Sequence, residues 1–226
     1  MLNNNLNEAE IISIKRLRKD GSLNKVIIDR IIRSINNAQI IVLPVDNIYS
    51  IIGLPIIEVK DRIKELIKTP DHHFDMIISS SRMLDEIAFF TKRNYDFLNK
   101  IWPGEVTVYL KAKEIKKKKG FITDVAVRYP KTKFLLEVMK QINRPLLLTN
   151  ASISSTPPIF DKKEIVKTFN KTADLIIIVD EICKKYPLPT VIDISSGELK
   201  IKREGKVSFG EIESLFFLGK DDDIVY

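Results

Sequence analysis

Residues 39–50 read QIIVLPVDNIYS. After Gln39 the run is unbroken apolar chain closed by Pro44, the pattern of a strand buried on both faces rather than one half-exposed to water. The polar stretch that follows, carrying Asp46, Asn47 and Tyr49, reads as a loop. Upstream, Ile27, Ile31 and Ile35 form one stripe, which predicts a helix over 23–37 with Ser22 as its N-cap. IISIKRL at 11–17 reads as a first strand. Downstream, Val59, Ile63 and Ile67 mark a helix over 56–68, and FDMIIS at 74–79 another strand. A strand–helix alternation of this kind is the signature of an α/β protein.

The remaining chain extends the pattern. Helices are expected over 82–89 and 92–101, entered by Ser81 and Thr91. EVTVYLKA (105–112) and DVAVRY (124–129) alternate as half-buried strands, with a basic loop between them that includes KKKK at 116–119. A helix over 131–142, a buried strand at 145–150, a helix over 162–170 opened by an Asp161/Glu164 capping box, and a strand at 174–179 follow. TVIDIS (190–195) and LKIKR (199–203) read as a hairpin, and Ser208 with Glu211 as the cap of a last helix. There are more strands than a simple parallel sheet needs, so the expectation is a twisted, open mixed sheet with helices on its faces. One domain is expected over 11–217, with 218–226 as a flexible tail.

At 226 residues the chain is long enough to bury a core without staples. It holds 37 basic and 30 acidic residues, a net charge of +7 with a pI near 9.3, which suits anionic ligands such as nucleotides or RNA. A lysine-rich composition serving solubility explains the same excess. No run approaches the roughly 20 apolar residues needed to span a bilayer, and MLNNNLNEAE lacks the layout of a signal peptide. Cys183 is the only cysteine, so neither a disulfide framework nor a zinc cage is available. A cytoplasmic protein without membrane partners is the expectation.

The common phosphate loops, the GxGxxG turn, HExxH and the GxSxG elbow are absent. Chemistry must therefore sit in less familiar places. TNASISS (149–155) ends a buried strand in a crowd of hydroxyls and amides able to hold a phosphate or carboxylate; a plain polar turn fits it too. PVDNIYS is a second such loop with the same double reading. Arg128 and Arg203 each stand at a strand end, where a guanidinium can clamp phosphate, although either alone reads equally as a surface arginine. Asp71, His72, His73 and Asp75 suggest a metal site, but adjacent histidines seldom aim at one ion, and the same residues read as a pH-sensitive loop. The lysine run reads first as a solvated loop and second as an RNA contact.

Taken in order, these pieces resemble the YrdC-like family, which includes threonylcarbamoyl-AMP synthases. AQIIVLPVDNIYSI (38–51) is similar to the strand and loop ending in PTDTVYGL, and Lys68 matches the lysine of a K-x-R motif. WPGEVTVYL (102–110) resembles WPGPLT, and VAVRYP (125–130) resembles VRVP. LLLTNASISS (146–155) stands where the family has STSANxSG, PLPTVIDIS (187–195) resembles TPSTVVD, and KREGKV (202–207) resembles LRxGxV. The order covers roughly residues 11–217. There are departures. PTDT has become Pro44-Val45-Asp46-Asn47, and YGL has become Tyr49-Ser50-Ile51. Pro70 replaces the K-x-R arginine, and Ser-Ala-Asn reads Asn150-Ala151-Ser152. Ser155 takes the closing glycine, which is uncomfortable if φ there is positive, and Pro189 replaces the serine of PSTV. KTPDHHF also resembles the YciO branch, which lacks the full synthase signature.

The resemblance implies a YrdC-like fold with a large basic concave surface. It implies a nucleotidyltransferase that joins ATP, L-threonine and bicarbonate into threonylcarbamoyl-adenylate, with Mg²⁺ accompanying the ATP, for threonylcarbamoyladenosine modification of tRNA. RNA, double-stranded RNA included, and other tRNA-modification proteins are the implied partners. It places Lys68 and Arg203 on phosphate. Thr149, Asn150 and Ser152 line the nucleotide site, and Arg128, Asn47 and Tyr49 lie near threonine or the α-phosphate. No covalent nucleophile and no protein metal ligand is implied. The altered motifs equally suit a catalytically inactive YciO-like paralogue that binds nucleotide or RNA, or a partner-binding protein with a vestigial cavity. Arg82, His72 and His73 are the nearby cations that could replace the lost arginine.

Overall fold

The computed structural model describes residues 8–113, 116–117, 120–121, 123–180 and 186–218. Cys183, Lys118, Lys119 and the expected tail beyond Leu218 lie outside them. In chain order the elements begin with β1 (Glu10–Ile14), α1 (Lys25–Asn36), β2 (Ile41–Val45), β3 (Ile48–Gly53), α2 (Ile57–Leu66) and β4 (Asp75–Ile77). Then come α3 (Ser81–Ile87), β5 (Ala88–Phe89), α4 (Lys92–Ile101), β6 (Val106–Ala112), β7 (Lys116–Lys117), β8 (Gly120–Phe121) and β9 (Asp124–Arg128). The last are α5 (Lys133–Ile142), β10 (Leu146–Asn150), α6 (Lys162–Phe169), β11 (Leu175–Val179), β12 (Thr190–Asp193), β13 (Lys200–Arg203) and α7 (Phe209–Phe217). The fold is mixed α/β, as expected, and divides into two compact units: Met1–Phe74 with Thr132–Tyr186, and Asp75–Lys131 with Pro187–Tyr226.

In the first unit β1 runs parallel to β11 and β11 parallel to β2, while β3 is antiparallel to both β2 and β10. Every residue of β2, β3 and β11 is buried, as the apolar runs require. Helix α1 buries Ile28, Ile31 and Ile35 and packs on α5. Each such isoleucine contributes about 1.5–3 kcal/mol by leaving water. The α1 cap is Asn24, whose side chain accepts from the Val26 amide. Ser22, the expected cap, instead donates its hydroxyl and amide to Asp20. Asp174 ties the sheet to α2: it accepts from the Ile40 amide at 2.6 Å and from Arg62 at 2.9 and 3.1 Å.

In the second unit β4 is parallel to β9, β9 antiparallel to β6, β6 parallel to β12, and β12 antiparallel to β13. Strand β5 adds to β6 from residues expected to continue a helix. Period-two alternation sorts the side chains. Val106, Val108, Leu110, Val127 and Ile192 are fully buried on one face, and the polar set is directed to the other. Helices α4 and α7 bury Phe97 and Phe216, whose rings meet edge-on at 5.0 Å. The Trp102 indole donates to the Val106 carbonyl at 2.8 Å, and Gly104 to that of Tyr129. Gly104 cannot be another residue without movement, because a Cβ would stand 2.3 Å from the Ile101 carbonyl oxygen.

Candidate functional site

The polar residues of the first unit gather at the β2–β3 turn, the β10 end and the α2 end. Residues 46 and 47 alone connect β2 to β3, with Val45 opposite Ile48. The stretch expected as a loop is therefore a tight hairpin, and Tyr49 is a strand residue only 1 % exposed. Asp46 adopts φ +54°, and it is held there by Thr132. The Asp46 amide donates to the threonine hydroxyl at 2.5 Å, and that hydroxyl donates back to the Asp46 carboxylate at 3.0 Å. Asn47, beside it, is half-buried.

Strand β10 pairs Asn150 with Ser50, and the next amide, of Ala151, donates to the Tyr49 carbonyl at 2.8 Å. Thr149 is buried, whereas Asn150 and Ser152 are half-buried at the strand's end. A turn follows, closed by the Thr156 amide and hydroxyl on the Ile153 carbonyl at 3.0 and 2.8 Å. Its two central residues, Ser154 and Ser155, have φ of +51° and +60°. The discomfort anticipated for serine at 155 is real. A left-handed residue with a Cβ costs about 1–2 kcal/mol, so Ser155→Gly should raise the free energy of unfolding by about 1 kcal/mol, measured by urea titration.

The Ser154 amide donates to the Ile67 carbonyl at 2.7 Å, which pins this turn to the end of α2. There the helix closes in a Schellman arrangement: the Lys68 amide bonds to the Glu65 carbonyl and the Thr69 amide to that of Lys64. The left-handed position belongs to glycine in most such ends, yet it is Lys68, at φ +54°. The helix was expected to run to Lys68; it stops at Leu66, and Lys68 projects from the stop. Three strained non-glycine residues, Lys68, Ser154 and Ser155, are thus joined through one hydrogen bond. Strain of this kind collects at functional sites. Lys68 also borders a depression of about 450 Å³ lined with Asp61, Lys64, Glu65 and Pro70.

Pro70 has a local reason. The His72 amide bonds to the Thr69 carbonyl at 3.2 Å, so residues 69–72 form a turn whose second residue is the proline. His72 is one of the cations expected to stand in for the missing arginine. Its ring packs edge-on against Phe74 at 5.0 Å, and burial, followed by the charges of His73 and Lys64, moves its pKa down, toward the neutral form. Arg82 is paired with Glu86 at 3.5 Å. A histidine depressed in the folded state and ordinary in the unfolded one leaves the unfolded chain with more protons below about pH 6.5. This contribution is intact above pH 6.5 and lost as pH falls toward the folded pKa. The urea midpoint should therefore fall between pH 7 and pH 5 by more in the wild type than in His72→Gln; equal slopes would contradict the assignment.

The second unit assembles a different cluster. Arg128 on β9 faces Thr107 on β6, Thr107 faces Val191 on β12, and Val191 faces Arg203 on β13, so both arginines stand on one cross-sheet row. Arg128 is 1 % exposed, a buried guanidinium. Arg203 is exposed and donates to the Pro189 carbonyl at 3.1 Å. The Thr107 hydroxyl donates to the Asp75 carboxylate at 3.2 Å. Burial raises the Asp75 pKa, against the opposing pull of Arg128, the Thr107 bond and Arg203. Tyr109 and Asp193 are paired on the same face, and Lys202 lies 3.1 Å from Asp193 and over the Tyr109 ring. Burial acts to raise Asp193, but bonds from Ser195 and Lys202 overcome it and its pKa is lowered. Burial and the Asp75 charge raise Tyr109, which stays a phenol.

The structure thus brings Asn47, Tyr49, Lys68, Thr149, Asn150 and Ser152 into one unit and Arg128 and Arg203 into the other. Sequence reasoning missed Asp75 as a partner of this row because it was grouped with the histidines. It missed Thr107 too, although the alternation VTVYL marks its parity. Among the described residues no group of three His, Cys, Asp or Glu is placed to hold a metal ion.

These features define an α/β protein whose units carry basic and hydroxyl-bearing side chains at strand and helix ends. The Sua5/YciO/YrdC family model, described as telomere recombination, matches residues 33–205, and the chain belongs to that family. Its fold is similar to that of P. abyssi Sua5 complexed with L-threonine (TM-score 0.79, 23 % identity, 91 % of this chain). It is similar also to E. coli YciO (0.77, 19 %, 90 %) and to full-length HypF in its phosphate- and nucleotide-bound form (0.69, 15 %, 79 %). The match spans 60 % of the Sua5 chain and 98 % of the YciO chain. At these identities the likeness is one of fold. No helix among the described residues is long and apolar enough to cross a membrane.

Proposed function

We propose that the chain forms threonylcarbamoyl-adenylate from ATP, L-threonine and bicarbonate, for modification of tRNA. The observation that carries this reading is the bond from the Ser154 amide to the Ile67 carbonyl. It fastens the hydroxyl-rich end of β10 to the helix end bearing Lys68, which are the nucleotide and phosphate pieces of the family pattern. Threonine-bound Sua5 and nucleotide-bound HypF support the ligand classes by analogy.

The chemistry needs no covalent help from the protein. The threonine amine takes up bicarbonate with loss of water to give a carbamate. A carbamate oxygen then attacks the α-phosphorus, and pyrophosphate leaves with the electron pair of the broken P–O bond. The family resemblance assigns Lys68 and Arg203 to phosphate charge, and Thr149, Asn150 and Ser152 to hydrogen bonds with the nucleotide. Arg128, Asn47 and Tyr49 are assigned to the threonine and α-phosphate end. Positioning and electrostatic stabilisation supply the rate. Mg²⁺ comes with the ATP phosphates, its usual mode of binding; the described residues offer no cage of their own.

Purified protein given ATP, Mg²⁺, threonine and bicarbonate should release pyrophosphate only when both co-substrates are present. Release independent of either, or none at all, contradicts the reading. One observation favours a second possibility. Pro70 removes a cation, and the match runs almost the whole length of YciO. On that reading the chain binds nucleotide or double-stranded RNA without chemistry, and ATP binds saturably with no pyrophosphate formed.

A further inference from the structure

The Arg128–Arg203 row contains a carboxylate of its own. Thr107 is the direct cross-strand partner of Arg128 and at the same time donates to Asp75 at 3.2 Å. Directly opposed residues have Cβ atoms about 4.5–5.5 Å apart, so the Asp75 carboxylate lies within one side chain of a guanidinium that is 1 % exposed. In parallel register β4 sets Ile77 beside Arg128, and Asp75, two residues back, falls on the same sheet face. Arg203 reaches that face from β13. A buried guanidinium favours a nearby negative charge, and the Asp75 carboxylate, on the first residue of β4, interacts electrostatically with Arg128.

The geometry points to Asp75 as an internal anion that competes with ligand: its carboxylate holds the place on Arg128 and Arg203 that a phosphate-class anion takes, and binding displaces it. The inference rests on the proposed function only for which anion arrives. An aspartate that merely orients Arg128 gives the opposite sign. Removing an orienting group weakens binding, whereas removing a competitor strengthens it.

The test is Asp75→Asn, which keeps the shape and the acceptor for Thr107 while deleting the charge. Pyrophosphate and inorganic phosphate are titrated by calorimetry into the full chain at constant ionic strength, with L-threonine as the carboxylate arm. Affinity for pyrophosphate should rise about tenfold over wild type, the size expected when one close like charge is removed, and Arg203→Ala in the same background should cancel the gain. If Asp75→Asn is unfolded in chloride alone, it should regain its far-ultraviolet circular dichroism in pyrophosphate, which would then serve as the missing counter-ion. A gain confined to threonine identifies a carboxylate as the displacing ligand and overturns the phosphate assignment. Unchanged or weaker binding, or failure to refold in pyrophosphate, overturns the inference as a whole. Pyrophosphate release by the wild type is scored separately. Its absence alongside the tenfold gain removes the proposed reaction and leaves the competing carboxylate in place.

Discussion

Lys68→Ala should lower threonine- and bicarbonate-dependent pyrophosphate release by about 10–100-fold, the cost of one charged hydrogen bond of roughly 1.5–3 kcal/mol. Lys68→Gly should do the same to activity while making the protein more stable. Lys68 sits at φ +54° in the Schellman position of α2, where a glycine has no Cβ to strain. Relief of about 1 kcal/mol corresponds to a rise of roughly 2–4 °C in Tm for a protein of this size. The opposed signs are diagnostic, because a lysine retained for folding alone would lose stability on replacement. Thermal unfolding and initial rates measured on the same preparations decide it. A glycine variant that is both less stable and fully active would remove Lys68 from the site.

Gly205→Ala should be the most damaging single-methyl change. A Cβ there would stand 2.1 Å from the Leu188 carbonyl oxygen and 2.8 Å from the Pro189 carbonyl carbon and oxygen, all backbone atoms that cannot rotate aside. The glycine amide also donates to the Thr190 hydroxyl at 3.0 Å, and the Val207 amide donates to the same oxygen at 3.1 Å. That hydroxyl is the knot holding the chain after β13 against β12. Overpacking costs about 1–3 kcal/mol where side chains can yield, and more where they cannot. A loss above 2 kcal/mol is expected, with weakened anion affinity because Arg203 stands two residues away. Gly210→Ala is the control. Apart from its chain neighbours and the backbone of its own helix, no atom lies within 4 Å of an added Cβ, and it is inside α7, so it should be neutral or gain up to about 1 kcal/mol. Equal effects at 205 and 210 would contradict the close-approach account.

What could be read in advance follows from where short-range chemistry decides. Asp161 caps α6 by accepting from the Glu164 amide, Ser208 caps α7 through that of Glu211, and Thr91 caps α4, each as the local pattern dictates. Arg128 and Arg203 were legible at strand ends because DVAVRY and LKIKR alternate. The failures have equally local causes. Ser22 is a good cap, but Asp20 claims its hydroxyl, leaving Asn24 to start α1. Of the serines at 79–81, Ser80 caps α3 where Ser81 was expected. Tyr49 was placed in a loop because nothing in PVDNIYS reveals that two residues suffice to turn the chain. The left-handed backbone of Lys68 and the strand partners of Asp75 were hidden for a deeper reason. A lysine gives no warning of a left-handed backbone, and an aspartate beside two histidines gives none of an arginine on a strand distant in sequence. Both are set by tertiary contacts that override local preference.

The most direct measurement supplies isotopically labelled bicarbonate with ATP, Mg²⁺ and threonine, and follows the label. The account predicts that it enters an adenylate whose mass equals AMP plus carboxylated threonine less water, one per pyrophosphate released, and that Lys68→Ala loses both together. Label that never appears in an adenylate, while ATP still binds saturably, would contradict the synthase reading and leave a nucleotide-binding protein.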